Sequence, residues 1–229
     1  MSLVLALDCA VSGLGVAVVR DGTGLASLRE EGRDQAVRLL PAVASTLRDA
    51  GVARQELSLI AVTIGPGSFT GVRIGLAAAR GLAVGLGVPL AGVSTTSVLI
   101  AQAARRASAR KRLAIAAIDS HLGDWFCAIG EDMQSPFAAS AAGLADRLRD
   151  RPCLVVGPDV DLLVPHLVAA GVDGEAEVAG VDPVAVARLG FSEGVETWRA
   201  RNASEGLPRP LYLRGVSITL PDGARRMVD

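Results

Sequence analysis

Three turns in the sequence carry side chains or backbone suited to chemistry. The first, Asp8-Cys9-Ala10-Val11-Ser12-Gly13-Leu14-Gly15, joins two apolar runs. A tight turn between strands can present backbone N–H groups to a phosphate, and Asp8, Ser12 and Gly13 are the residues of such a loop; the same pattern also makes a plain structural turn. The second is Gly65-Pro66-Gly67-Ser68-Phe69-Thr70-Gly71-Val72-Arg73-Ile74-Gly75. Its glycines and proline set an abrupt strand-to-helix connection, and Ser68 suits the cap of the helix that follows. That helix start would attract an anion, but no Gly-Lys-Ser/Thr follows, so it is not a P-loop. No neighbouring acid or histidine activates Ser68 as a nucleophile. The third turn holds Asp119, His121 and Asp124, placed either to hydrogen-bond one another or to meet a substrate. Metal chemistry is poorly supplied: His121 and His166 are the two histidines, and no His-x-x-x-His or clustered cysteine pattern exists.

The elements around these turns follow from periodicity. Leu3–Leu7, Gly15–Arg20 and Leu25–Glu30 read as three strands, with Asp21-Gly22 as a hairpin signal. Asp34–Asp49 has helical spacing and Gly51 behind it as a cap. Strands over Leu57–Ile64 and Val88–Val93 alternate with helices over Val72–Leu86 and Thr95–Arg106. Three antiparallel strands leading into parallel βα units is the order of one half of the actin, Hsp70 and sugar-kinase type of ATPase. A strand ending at Asp119 and a second over Trp125–Ile129 echo that opening, which suggests a duplicated, shortened half. Helices over Ala141–Arg149, Val160–Ala170 and Pro183–Ala200 follow, with a strand over Cys153–Val156 and a last one over Leu211–Arg214. The expected fold is therefore α/β and actin-like (ribonuclease H-like), two lobes of mixed sheets flanked by helices. The expected domains are 1–106, 107–207 and a C-terminal segment 208–229 returning to the first lobe.

The helix over Val72–Leu86 is unusual. Arg73 and Arg80 are its only charges and share a stripe. Gly71, Gly75 and Ala79 lie four apart on one face, and so do Ala77, Gly81 and Gly85. Each interior glycine costs about 1 kcal/mol against alanine, which the close approach of another backbone offsets. So apolar a helix is either buried on both sides or completed by another chain. The expected interface residues are Ile74, Gly75, Ala78, Ala79, Leu82 and Leu86, and arginine at Gly75 is expected to abolish partner binding while the fold survives.

Composition narrows the classes. Half of the residues are hydrophobic and 3% aromatic, so the core is aliphatic. A net charge of −1 argues against holding nucleic acid through bulk positive charge. Five basic residues crowd Arg105–Arg112, either a solvated hinge or a local nucleic-acid contact. Three cysteines without close spacing, and no basic-then-apolar leader, point to a reducing, cytoplasmic setting. Gly81–Ala104 is uncharged and long enough to span a bilayer, but Pro89, four glycines and Ser94-Thr95-Thr96-Ser97 read better as a helix end, a strand and a new helix.

Taken together, these residues resemble the TsaB (YeaZ) family, the dimerisation subunits of the bacterial machinery for threonylcarbamoyladenosine (t6A) in tRNA. The Gly65–Gly75 motif carries the resemblance, with Leu5-Ala6-Leu7-Asp8, Gly15-Val16-Ala17-Val18, Gly92-Val93-Ser94-Thr95, Ala117-Ile118-Asp119 and Leu211-Tyr212-Leu213-Arg214. It implies a non-catalytic partner of TsaD in a complex with the ATPase TsaE. That complex transfers threonylcarbamoyl from its adenylate to N6 of adenosine 37 in tRNAs reading ANN codons. Thr95 and Leu99 stand where TsaD carries its metal-binding histidines. The resemblance implies no cofactor, with ATP or ADP only at a complex interface, tRNA reached through the complex, and a homodimer as a competing assembly. Two departures stand out: Gln35-Ala36 replaces the family's His-Ser or His-Thr pair, and His121 its usual arginine. Two alternatives compete, an independent small-molecule kinase or ATPase resting on Asp8, and a metallopeptidase for which no ligand set is present.

Overall fold

The first strand shows how the interior is divided. β1 (Leu3–Asp8) is buried along its whole length. Its alternate side chains enter two separate cores: Leu3, Leu5 and Leu7 one, Val4 and Ala6 the other. This is the period-2 consequence of a strand covered on both faces. The structure, a computed structural model, describes residues 2–11, 13–213, 216–219 and 225–228. β1 pairs antiparallel with β2 (Leu14–Arg20), which pairs antiparallel with β3 (Thr23–Glu30). On its other side β1 runs parallel to β4 (Leu59–Thr63), and β4 to β5 (Leu90–Val93). The first sheet is therefore ordered β3-β2-β1-β4-β5.

The second sheet repeats that plan. β6 (Leu113–Asp119) is central, antiparallel to β7 (Trp125–Ile129) and parallel to β9 (Cys153–Gly157). β8 (Asp132–Ala139) and β10 (Gly174–Val178) are its edges, giving the order β10-β9-β6-β7-β8. Strand for strand this matches the first sheet, so the second half keeps all five strands. What shrinks are the helices: the one after the third strand has 8 residues (141–148) against 15 (35–49), and α5 (Val160–Ala169) has 10 against 18 in α2 (Phe69–Leu86). Neither β8 nor β10 is signalled by the sequence pattern. Pro136 lies inside β8, which is tolerated because that strand is an edge.

α1 (Gln35–Asp49) and α2 cover the outer face of the first sheet, and α4 (Ala141–Leu148) and α5 that of the second. Between the sheets lie α3 (Thr95–Ala109) and α6 (Pro183–Ser192), sharing one aliphatic core. α6 packs on β1, β2 and β4, although a boundary at 207 assigns it to the second lobe. Gly190 permits this, since a Cβ there would stand 2.7 Å from the Cβ of Ala61. One helix expected over Pro183–Ala200 is two, because Gly194 (φ +86°) interrupts it before α7 (Val195–Glu205). Asn202 of α7 then brackets the edge of β5, accepting from Leu90 N at 2.7 Å and donating to Leu90 O at 3.1 Å. Beyond it, Leu211–Leu213 form no strand, although Leu211 N donates to Ile64 O at 2.7 Å; Arg214 lies outside the described residues. The last pair, β11 (Val216–Thr219) and β12 (Arg225–Val228), is an antiparallel hairpin.

Three of the five basic residues of Arg105–Arg112 are matched internally. Arg106 pairs with Glu177, Arg110 with Glu175 at 2.9 Å, and Arg112 with Asp173 and Glu175 at 2.9 and 2.8 Å. These guanidiniums fasten α3 and β6 to the edge strand β10. The uncharged run Gly81–Ala104 is the end of α2, β5 and the start of α3. Among the described residues one helix, Phe69–Leu86, is long and apolar enough to cross a membrane by length and composition. Its Val72, Leu76, Ala79 and Ala83 are buried within the chain, against the sheet it covers.

Candidate functional site

The Gly-Pro-Gly turn and the first hairpin turn are parts of one structure. Ser68 N donates to Ala10 O at 2.6 Å, and Ser68 Oγ caps α2 by accepting from Gly71 N at 3.2 Å. A Cβ on Gly71 would lie 1.9 Å from the carbonyl oxygen of Cys9. The backbone that offsets the cost of this glycine therefore belongs to the same chain. Gly75 continues the contact, its Cβ position 3.5 Å from Cys9 Cβ and 3.7 Å from Cys9 Sγ.

This corrects the expected interface. Gly75 and Ala79 are buried within the chain and have no surface to offer a partner. An arginine at Gly75 would strike the hairpin and damage the fold itself. Ile74, Ala78, Leu82 and Leu86 are half-buried along the margin of the first core. The outward stripe is the other one: Ala77, Gly81 and Gly85 are exposed, with open space where a Cβ on Gly81 or Gly85 would stand, and Val84 is 73% exposed. On α1, which packs beside α2, Val37, Leu40, Pro41 and Ala44 are exposed at helical spacing. The two arginines of α2 tether the C-terminal segment. Arg80 donates to Pro208 O through Nε at 3.2 Å and Nη2 at 2.5 Å, and Arg73 Nε to Tyr212 Oη at 2.9 Å.

Asp8 sits at the end of β1 and is buried. Its Oδ1 accepts from Thr63 Oγ1 at 2.6 Å and Ala10 N at 3.1 Å. Burial pushes its carboxyl above the ordinary range, against the opposing effect of these two donors. Gly13 holds a positive φ of +76°, and a Cβ there would be 1.9 Å from Glu30 O, so the hairpin turn is also fitted to β3. Ser12 lies outside the described residues. In the second half Asp119 repeats the local geometry of Asp8, accepting from His121 N at 2.7 Å. It is more exposed and lines a cleft of about 1360 Å³ with Gly13, Arg29, Arg33, Phe69, His121 and Tyr212, whereas Asp8 is not among the lining residues. The polar turn largely satisfies itself: Ser120 Oγ bonds Asp124, and His121 Nδ1 lies 3.3 Å from Asp119 Oδ2. Among the described residues no three His, Cys, Asp or Glu side chains gather as metal ligands. Thr95 and Leu99 are fully buried in α3.

Replacing Asp8 by Asn keeps an oxygen for both donors and removes the buried charge. Between the ordinary carboxylate pKa and its raised folded value, the unfolded carboxyl loses its proton while the folded one keeps it, so stability falls as pH rises through that window. Urea midpoints are expected to show this slope in the native protein and a flatter profile in Asp8→Asn. Thiol chemistry follows the same logic. Burial pushes Cys9 and Cys127 up to about 12 and Cys153 up to about 11, and all three are free. A disulfide-exchange reagent at pH 8 is expected to label none of them until denaturant is added.

Comparison with known proteins places this geometry. The sequence model of a family described as "TsaD: tRNA N6-adenosine threonylcarbamoyltransferase" matches residues 29–122. The tRNA threonylcarbamoyladenosine biosynthesis protein TsaB of Escherichia coli is 40% identical over 125 residues, 55% of this chain and 53% of that one. Its Bacillus subtilis counterpart is 42% identical over 99 residues, 43% of each. The chain thus spans about half the length of the curated relatives it matches. Among solved structures, YeaZ from Pseudomonas aeruginosa superposes with a TM-score of 0.69 at 26% identity, over 93% of this chain and 100% of that one.

Proposed function

We propose that the chain, similar to TsaB proteins over about half their length and to the YeaZ structure over its whole length, is a member of that family and works in t6A biosynthesis as the non-catalytic partner of a TsaD-like transferase. In this reading TsaD carries out transfer of threonylcarbamoyl to adenosine 37, a TsaE-like ATPase joins the complex, and a homodimer through the same face competes with it. The supporting observation is the outward side of α2. A helix whose exposed residues include Ala77, Gly81, Val84 and Gly85 leaves apolar surface and bare backbone open to water. Small residues at that spacing let a partner helix approach closely, which offsets the glycine cost. The exposed Val37 and Leu40 of α1 widen the same apolar surface.

The alternative of an independent ATPase rests on Asp8. Against it stands the orientation of that residue, whose carboxylate is engaged by Thr63 and Ala10 rather than lining the cleft. Co-purification with the host's TsaD-like protein, then threonylcarbamoylation of unmodified tRNA with and without this chain, tests the proposal. Activity requiring both proteins is the expected result. Equal activity without the chain, and no complex, would overturn it.

A further inference from the structure

The aromatic residues of this chain are few, two Trp, one Tyr and four Phe. Among the described residues the large exposed hydrophobics include two aromatics, Phe69 and Tyr212, each 42% exposed. They come together from distant parts of the sequence, ring centroids 5.6 Å apart and planes 31° apart. The Arg73 guanidinium lies 3.5 Å over the Phe69 ring and 5.7 Å from the Tyr212 ring, while its Nε donates to the tyrosine oxygen at 2.9 Å. Among the described residues no salt bridge engages Arg73 or Arg33; Arg33 and Arg29 line the cleft that Phe69 and Tyr212 border, and Arg29 also feels the buried Asp8 carboxyl. A planar cation stacked on one aromatic ring and hydrogen-bonded to the hydroxyl of a second is preorganised for a flat, hydrogen-bonding ligand carrying negative charge nearby.

We propose that Phe69, Arg73 and Tyr212 form a stacking site for one unpaired base of single-stranded RNA, with the uncommitted guanidiniums meeting its flanking phosphates. Bases stack on exposed aromatic and guanidinium planes whatever their identity. Glu31, Asp119 and Asp159 also line the cleft, which disfavours a phosphate chain running along it and limits the contact to about one base and its neighbours. That limit agrees with a net charge of −1. The choice of RNA rests on the tRNA-directed role proposed above; the capacity to stack a base does not.

The test uses the full chain alone and a fluorescein-labelled oligoadenylate of about ten nucleotides, read by anisotropy beside the same strand in a duplex. The single strand is expected to bind better than the duplex, and log K to fall by no more than about two per decade of salt. Phe69→Ala and Tyr212→Ala are each expected to weaken binding about tenfold, Phe69→Trp to preserve it, and Arg73→Lys to weaken it despite keeping the charge. No detectable binding, equal binding of duplex, or unchanged affinity in Phe69→Ala and Tyr212→Ala overturns the proposal. So does loss of TsaD-like partner binding in these variants with oligoadenylate binding intact, which would make the cluster a protein contact. No partner enters the oligoadenylate measurement, so its failure leaves the partner reading standing, and failure of co-purification leaves this measurement unaffected.

Discussion

Gly71→Ala is expected to lose about 3 kcal/mol or more of folding stability, while Gly81→Ala, ten residues along the same helix, gains about 1 kcal/mol. Both substitutions add one methyl group to a glycine of α2. At Gly71 that methyl would stand 1.9 Å from the Cys9 carbonyl oxygen, a backbone atom that moves only if the hairpin or the helix moves. The hairpin is in turn held by Ser68 N on Ala10 O, so the displacement spreads to the start of α2. At Gly81 nothing lies within 4 Å of the new Cβ, and only the gain in helix propensity remains. Thermal or urea unfolding reads both. In a chain of 229 residues the first corresponds to a drop of about 6–12 °C and the second to a rise of about 2–4 °C. Near-equal melting temperatures for the two variants would mean that the turn and hairpin do not make this contact.

That contrast also marks how far the sequence could be read. The central strands were legible because burial on both faces demands unbroken aliphatic runs, as in Leu3–Leu7 and Leu113–Ile118. Ser68 as a cap and the paired glycine stripes of α2 were legible because their causes are local. Which stripe faced inward was not: Gly71, Gly75 and Ala79 have the same spacing and chemistry as Ala77, Gly81 and Gly85. The decision rests on Cys9 and Ala10, more than 60 residues earlier in the chain. β10 escaped notice because Glu175 and Glu177 weaken its apolar pattern, and their partners Arg106, Arg110 and Arg112 lie on another element. The Phe69–Tyr212 pair depends on Arg80 and Ile64 holding the segment around Pro208–Leu211 in place. No local pattern encodes that. Asp8 illustrates a third limit: its position at the end of the central strand was clear, but not that Thr63 would turn its carboxylate away from the cleft.

Gly81→Arg is expected to abolish co-purification with a TsaD-like partner, an effect of at least about a hundredfold in affinity, with the melting temperature of the free chain little changed. The exposed glycine has open space around its Cα, so the isolated chain accommodates a long side chain in water without moving backbone. A partner helix lying against Ala77, Gly81 and Gly85 would meet that side chain at the place where the two backbones come closest. It would then have to bury an unpaired guanidinium or withdraw from the whole stripe. Val84→Glu, at a site 73% exposed, makes the same point by charge instead of bulk. Gly75→Arg serves as the contrasting variant, because it should lose partner binding only by losing the fold, visible as a lowered melting temperature. The homodimer gives a second readout: if the same face mediates it, sedimentation of Gly81→Arg should show monomer where the native chain shows dimer. A Gly81→Arg protein that melts normally and still binds its partner would move the interface off α2, and the exposed Val37–Leu40 face of α1 would be the next place to substitute.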